Sequence, residues 1–160
     1  MAWGAGSIAE LGGWVPHPTT KVLLGFNEPN LRHQSNLSAQ EACSHWPALL
    51  KATRRHGLRL GSPAANHCSP TDNCFMSPTD WFDAFFALPG CGVDTVDFIA
   101  THKYGSNASD AIEYVRMLSS RYNRPVWLTE FSVEHFARTR ARTKVSRLSC
   151  IDYRHLLWRK

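Results

Sequence analysis

Two apolar runs in this chain each end in a glutamate. Lys21-Val22-Leu23-Leu24-Gly25-Phe26 leads into Asn27-Glu28-Pro29-Asn30, and Pro125-Val126-Trp127-Leu128-Thr129 leads into Glu130-Phe131. Neither run alternates polar with apolar, which is the pattern of parallel strands covered on both faces. Between the two glutamates lie 102 residue steps, room for three strand-helix units of about 34 residues, where a complete crossover takes about 30 or more. Parallel strands taken in chain order bring their carboxyl ends to one side of a sheet. Glu28 and Glu130 are therefore expected to share one mouth.

The intervening sequence supplies those units. Ser38-Ala39-Gln40-Glu41 reads as a capping box and opens a helix that runs to about His56, where Gly57 stops it. Leu58 to Ser62 reads as a short strand cut off by Pro63, followed by a loop rich in Ser, Pro, Asn and Cys up to Pro78. Pro78 fits the first helical position behind a Ser77 cap, with Trp81, Phe82, Phe85, Phe86 and Leu88 as the apolar face. Val96 to His102 reads as a third strand, Ser109 to about Tyr122 as a helix capped near Asn107, and Pro125 to Glu130 as a fourth strand. Strands are thus expected near 21–27, 58–62, 95–102 and 125–130, with Met1 to Gly4 as the last residues of a further one. Strict strand-helix alternation predicts an α/β fold with a parallel sheet and helices outside.

The net charge of +5 misleads until it is divided along the chain. Residues 1–131 carry ten Lys/Arg against eleven Asp/Glu, whereas residues 132–160 carry eight against two. The basicity belongs to the tail. Its basic run Arg138, Arg140, Arg142, Lys144 and Arg147 has no interleaved aromatics, so nucleic acid is not expected as a partner. No stretch approaches the roughly 18 apolar residues of a membrane span, and the N-terminus lacks a charged and apolar leader, so no membrane partner is expected. The five cysteines match no zinc spacing and allow at most two pairs; their pairing is not fixed by the sequence, and Cys68 or Cys74 with Cys91 is plausible only in a secreted chain. Asn36-Leu37-Ser38 and Asn107-Ala108-Ser109 are acceptor sequons on a secretory route.

Every suggestive polar residue falls at a strand end: Asn27 and Glu28, Ser62 and Asn66, His102 and Tyr104, Glu130. Two carboxylates at one mouth suit glycoside hydrolysis, in which one protonates the leaving oxygen and the other attacks or supports the anomeric carbon. Asn27 is placed to hydrogen-bond a sugar 2-hydroxyl, and Pro29 to fix the turn that aims the acid. That acid must hold its proton near neutral pH, which burial against apolar walls is expected to arrange. Trp3 and Trp127 lie near strand ends, divided between core and sugar-stacking roles.

These segments, with Gln34 to Ser38, Trp46-Pro47, Leu60 to Ala64 and Trp81 to Phe86, resemble glycoside hydrolase family 128, the Asl1-like glycosyl hydrolase catalytic domain of endo-β-1,3-glucanases. The resemblance covers roughly residues 3–131. It implies a partial (β/α)8 TIM barrel spanning strands 3 to 7, and a retaining mechanism with Glu28 as acid/base and Glu130 as nucleophile. It implies Asn27, His102, Tyr104 and Trp127 at the substrate, no metal or cofactor, β-glucan as the partner, a monomer, and an extracellular or cell-wall location. Where the family is expected to carry a Trp between the His and Tyr of the sixth strand, this sequence has Lys103. The expected organisation is a partial catalytic domain over 1–131 and a basic, divergent tail over 132–160 that packs weakly. Alternatives to a hydrolase are a non-catalytic glucan-binding protein and a non-functional truncated product.

Overall fold

The computed structural model describes residues 1–68, 73–105 and 107–132. Five parallel strands alternate with three α-helices: β1 (Val22–Leu24), α1 (Ala39–His56), β2 (Arg59–Gly61), β3 (Ala65–Asn66), α2 (Pro78–Phe86), β4 (Ile99–Lys103), α3 (Ala108–Tyr122) and β5 (Val126–Phe131). β1 pairs with β2, and β3, β4 and β5 pair in that order. Isolated parallel bridges, Asn27 to Ala64 and Gly61 to Phe98, knit the two groups together. The fold is therefore α/β with parallel sheets laid out in chain order, as expected.

The helices start and stop where local chemistry dictates. The Ser38 side chain accepts from the Glu41 N–H while the Glu41 carboxylate takes the Ser38 N–H, and Gly57 closes α1 in the left-handed region. Ser77 caps α2 with Pro78 in its first turn, and Asn107 caps α3 by accepting from the Asp110 N–H. The strands depart from expectation in two places. β2 ends before Pro63, as expected, but the backbone around that proline keeps strand-like partners: Ser62 N–H reaches the Phe98 carbonyl at 3.0 Å and Ala64 N–H the Phe26 carbonyl at 2.8 Å. The chain then resumes as β3, so the loop expected from Pro63 begins only after Asn66. β4 starts at Ile99 rather than Val96, because Val93–Thr95 form a 3₁₀ turn and the Asp97 carboxylate takes the Leu60 N–H at 2.7 Å in place of a ladder partner.

Each strand separates two faces. Leu23, Leu60, Ala65, Ile99 and Val126 join the core under the helices, where Trp46, Trp81, Phe82 and Phe85 are fully buried. Trp81 stacks on Phe85 with ring centroids 5.3 Å apart, and its indole N–H donates to the Leu37 carbonyl at 2.8 Å. The other face carries Ala64, Phe98 and Ala100, with Val22, Leu24 and Trp127 packed against them. Gly25 lets β1 approach its neighbour closely, since a Cβ there would sit 2.7 Å from the Pro63 nitrogen.

Met1 to Gly4 runs beside β1, with Ala2 N–H on the Leu24 carbonyl at 3.0 Å and Asn27 N–H on the Trp3 carbonyl at 2.9 Å. Two bonds are too few for a ladder, so the expected extra strand is an extended segment. The disulfides depart from a pairing of Cys68 or Cys74 with Cys91: Cys43 on α1 joins Cys91, and Cys68 joins Cys74 across a short loop. No described helix is long and apolar enough to cross a membrane. The tail beyond Ser132, and with it Cys150, lies outside the described residues.

Candidate active site

Glu28 sits where the chain leaves β1. Its backbone is in the left-handed region at φ 41°, costly for a residue with a Cβ and held by its N–H on the Ala64 carbonyl and its own carbonyl on the Leu31 N–H. The side chain is buried, and its Oε1 accepts from Asn66 Nδ2 at 2.6 Å and from His102 Nδ1 at 2.9 Å. His102 is fully buried at the end of β4, and the far side of its ring, Nε2, faces Glu130 Oε1 at 3.6 Å. Among the described residues that nitrogen has no hydrogen-bond partner. Glu130, about half exposed, takes the Tyr104 hydroxyl on Oε2. One imidazole thus stands between the two glutamates, with a phenol behind the second.

The charge states follow from these contacts. Burial pushes the Glu28 carboxyl up, but the hydrogen bonds from His102 and Asn66 and the charge on His102 outweigh it, and the net effect is below the ordinary glutamate value. This departs from the expectation that burial keeps the acid protonated near neutrality, because Asn66 and His102 both hydrogen-bond its Oε1. Tyr104 moves the other way, raised by burial, by its bond to Glu130 and by the charges of Glu130 and Glu28. It stays a neutral phenol that donates to Glu130.

The remaining expected residues lie apart from this cluster. Asn27 is buried beside Glu28, but its Nδ2 donates to Gln34 Oε1 at 3.1 Å. Trp127 stacks on Phe98 at 4.1 Å between ring centroids and lies under the Arg59 guanidinium, toward the starts of the strands and away from the carboxylates. Lys103 turns to the helix-covered face, its Nζ 3.0 Å from His67 Nε2 and above the Tyr114 ring. Two residues carry more than sequence reasoning assigned them. Asn66 is the second donor to Glu28, although only its place at a strand end had marked it. Asn30, fully buried, uses its amide to hold the backbone of Asn66; its place in Asn27-Glu28-Pro29-Asn30 was the available signal. No group of His, Cys, Asp or Glu among the described residues has the arrangement of a metal site.

The model of the glycosyl hydrolase catalytic core matches residues 1–150. The chain belongs to that family. Its solved relatives bear out the likeness to glycoside hydrolase family 128. A subgroup II endo-β-1,3-glucanase from Sorangium cellulosum is 37% identical with a TM-score of 0.72, covering 86% of this chain and 57% of that one. A subgroup I endo-β-1,3-glucanase from Amycolatopsis mediterranei, in complex with laminaritriose, is 32% identical with a TM-score of 0.64, covering 88% and 56%. Among curated proteins, the alkali-sensitive linkage protein 1 of Schizosaccharomyces pombe is 34% identical over 114 residues, 69% of this chain and 19% of that protein. This catalytic-core chain therefore spans rather more than half of its solved relatives and about a fifth of the curated one.

Proposed function

We propose that this catalytic-core chain hydrolyses β-1,3-glucan with retention of configuration, using Glu28 as acid/base and Glu130 as nucleophile. The observation that carries the reading is His102, one ring nitrogen on Glu28 and the other turned to Glu130, which ties both carboxylates to one strand end. The Glu130 carboxylate attacks the anomeric carbon as Glu28 delivers a proton to the departing glycosidic oxygen. The carbon-oxygen bond breaks and an ester to Glu130 forms. Glu28, now a carboxylate, takes a proton from water, which attacks the same carbon and releases Glu130. Tyr104 donates its hydroxyl to Glu130 and aims it. A bound glucan excludes water from Glu28 and strengthens the burial that already favours its protonated form.

The parallel order of strands and the similarity to family 128 structures support placing β1 to β5 within strands 3 to 7 of a (β/α)8 barrel. Asn27, His102, Tyr104 and Trp127 are proposed to line the glucan. For Asn27 this requires release from Gln34. The catalytic part is proposed to end near residue 131, where the charge changes sign, with 132–160 a basic tail. Two disulfides support an extracellular or cell-wall location, since such bonds persist in oxidising compartments.

Reducing-sugar release from a soluble β-1,3-glucan tests the function. The chain is expected to release product, and Glu28→Gln and Glu130→Gln to release none while still binding glucan. Glucan binding with no product from the parent chain favours the second reading, a non-catalytic glucan-binding protein. The half-exposed Glu130 is the observation that favours it.

A further inference from the structure

Asn66 ends β3 and is held from three sides. Its N–H donates to Asn30 Oδ1 at 2.9 Å, and its carbonyl accepts from Asn30 Nδ2 at 2.9 Å. Asn30 Nδ2 also reaches the Met76 carbonyl at 3.2 Å, which fixes which end of that amide is the donor. On the Asn66 side chain, Oδ1 accepts from the Cys68 N–H at 2.8 Å while Nδ2 donates to Glu28 Oε1 at 2.6 Å. Turning this amide over would set a donor against the Cys68 N–H and an acceptor against the Glu28 carboxylate, two repulsive contacts in place of two hydrogen bonds. The Asn66 amide has one orientation. Cys68, whose N–H selects it, is tied to Cys74 by a disulfide.

The consequence reaches the individual oxygens of Glu28. Both hydrogen bonds to its carboxyl from described residues land on Oε1, one from Asn66 and one from His102, and none lands on Oε2. We propose that Asn66 is a positioning residue for Glu28: its locked amide commits Oε1 to standing donors and leaves Oε2 as the oxygen that exchanges the proton. A carboxyl whose two oxygens are unequal in this way presents its proton in one direction, whereas a freely turning carboxyl would divide it between two. The inference rests on the reading of Glu28 as acid/base. Of the titratable groups near Glu28, His102 touches it from β4, and Tyr104 and Glu130 lie beyond that ring.

The test is a carbon-13 NMR titration of the Glu28 carboxyl in the full chain, with the resonance identified by its loss in Glu28→Gln. Asn66→Asp keeps the shape of the side chain and the acceptor for the Cys68 N–H, but sets a second acidic oxygen against Oε1. The pair must then share a proton, and the Glu28 midpoint is expected to move to higher pH. Asn66→Leu removes the donor and is expected to move the midpoint the same way. If the leucine variant does not fold, the aspartate variant decides alone. An unchanged Glu28 midpoint in a folded Asn66→Asp overturns the proposal, because an acidic oxygen held against Oε1 cannot leave that midpoint in place. The titration is read whether or not the chain turns over. On β-1,3-glucan the alkaline limb of kcat/KM, where the acid loses its proton, is expected to move up with the NMR midpoint. A midpoint that moves while that limb stays in place upholds the hold of Asn66 on Glu28 and instead removes Glu28 from the acid/base role.

Discussion

Glu130 faces His102 because β5 holds one residue more than β4 at that point. The register runs Ala100 to Trp127 and Thr101 to Leu128, then steps to His102 against Glu130. Thr129 is the extra residue, with its hydroxyl on the Thr101 carbonyl at 3.3 Å. Strand side chains alternate between faces, so without this bulge Thr129 would stand beside His102 and Glu130 would turn to the helix-covered face that Lys103 occupies. A single unpaired residue thus decides whether the second carboxylate joins the first.

Deleting Thr129 is therefore expected to abolish hydrolysis while leaving the helices intact. Displacement of a reacting group by about 1 Å already costs about 100-fold in rate, and a change of face moves it much further. Reducing-sugar release alongside far-ultraviolet circular dichroism reads both effects. A shortened strand that keeps the parent rate would show that the register does not aim Glu130.

Tyr104 gives a milder expectation. Tyr104→Phe keeps the ring, which lies edge-on to His102, and removes only the hydroxyl that donates to Glu130. A hydrogen bond to a charged group contributes about 1.5–3 kcal/mol, so kcat is expected to fall roughly 10- to 100-fold. Glucan affinity should change less than kcat. A variant weakened mainly in KM would move Tyr104 from Glu130 to the sugar.

Acid stability carries the sign of the Glu28 environment. Folding holds this carboxyl below its ordinary value of 4.5, so the folded state prefers the carboxylate. The stability this contributes is complete above that value and is lost as pH falls through the lower folded one. Glu41, held by Ser38, and Asp83, held by Arg121, titrate in the same direction, so the informative quantity is the difference between parent and variant. Melting temperature followed from about pH 6 to pH 3 should fall less steeply for Glu28→Gln than for the parent. Equal slopes would mean that His102 and Asn66 do not favour the ionised form.

The legible parts of this molecule are those set by neighbours in sequence. Ser38 with Glu41, Ser77 with Pro78, Asn107 with Asp110 and Gly57 satisfy helix ends within a few residues, and each was read in place. The misses depend on partners far along the chain. β3 follows Pro63 so soon because Phe98 and Phe26 offer carbonyls to Ser62 and Ala64 on either side of it. β4 begins late because Asp97 finds the Leu60 amide, and Cys43 meets Cys91 only once α1 and α2 have packed. The site divides the same way. Glu28 and Glu130 stood out as carboxylates at the ends of apolar runs, whereas the grip of Asn66 and Asn30 on Glu28 and the bulge at Thr129 exist only between strands. The low pKa of Glu28 was misjudged for that reason, since burial is readable from an apolar flank and the two donors are not.

The stereochemical course distinguishes the two roles open to Glu130, nucleophile or base. An inverting enzyme needs about 6.5–9.5 Å between carboxyl groups to admit a water, and a retaining one about 5–5.5 Å so that one carboxylate reaches the anomeric carbon. Here one imidazole ring contacts Glu28 at 2.9 Å through Nδ1 and faces Glu130 at 3.6 Å through Nε2, and the proposed role of Glu130 as nucleophile predicts the retaining course. The first product released from β-1,3-glucan is thus expected to carry the β configuration at its new reducing end, with the α anomer growing in only as mutarotation proceeds. Proton NMR of the anomeric region during the first minutes of digestion distinguishes the two. If the α anomer appears first, water attacks directly, Glu130 is the base rather than the nucleophile, and the roles of both glutamates must be reassigned.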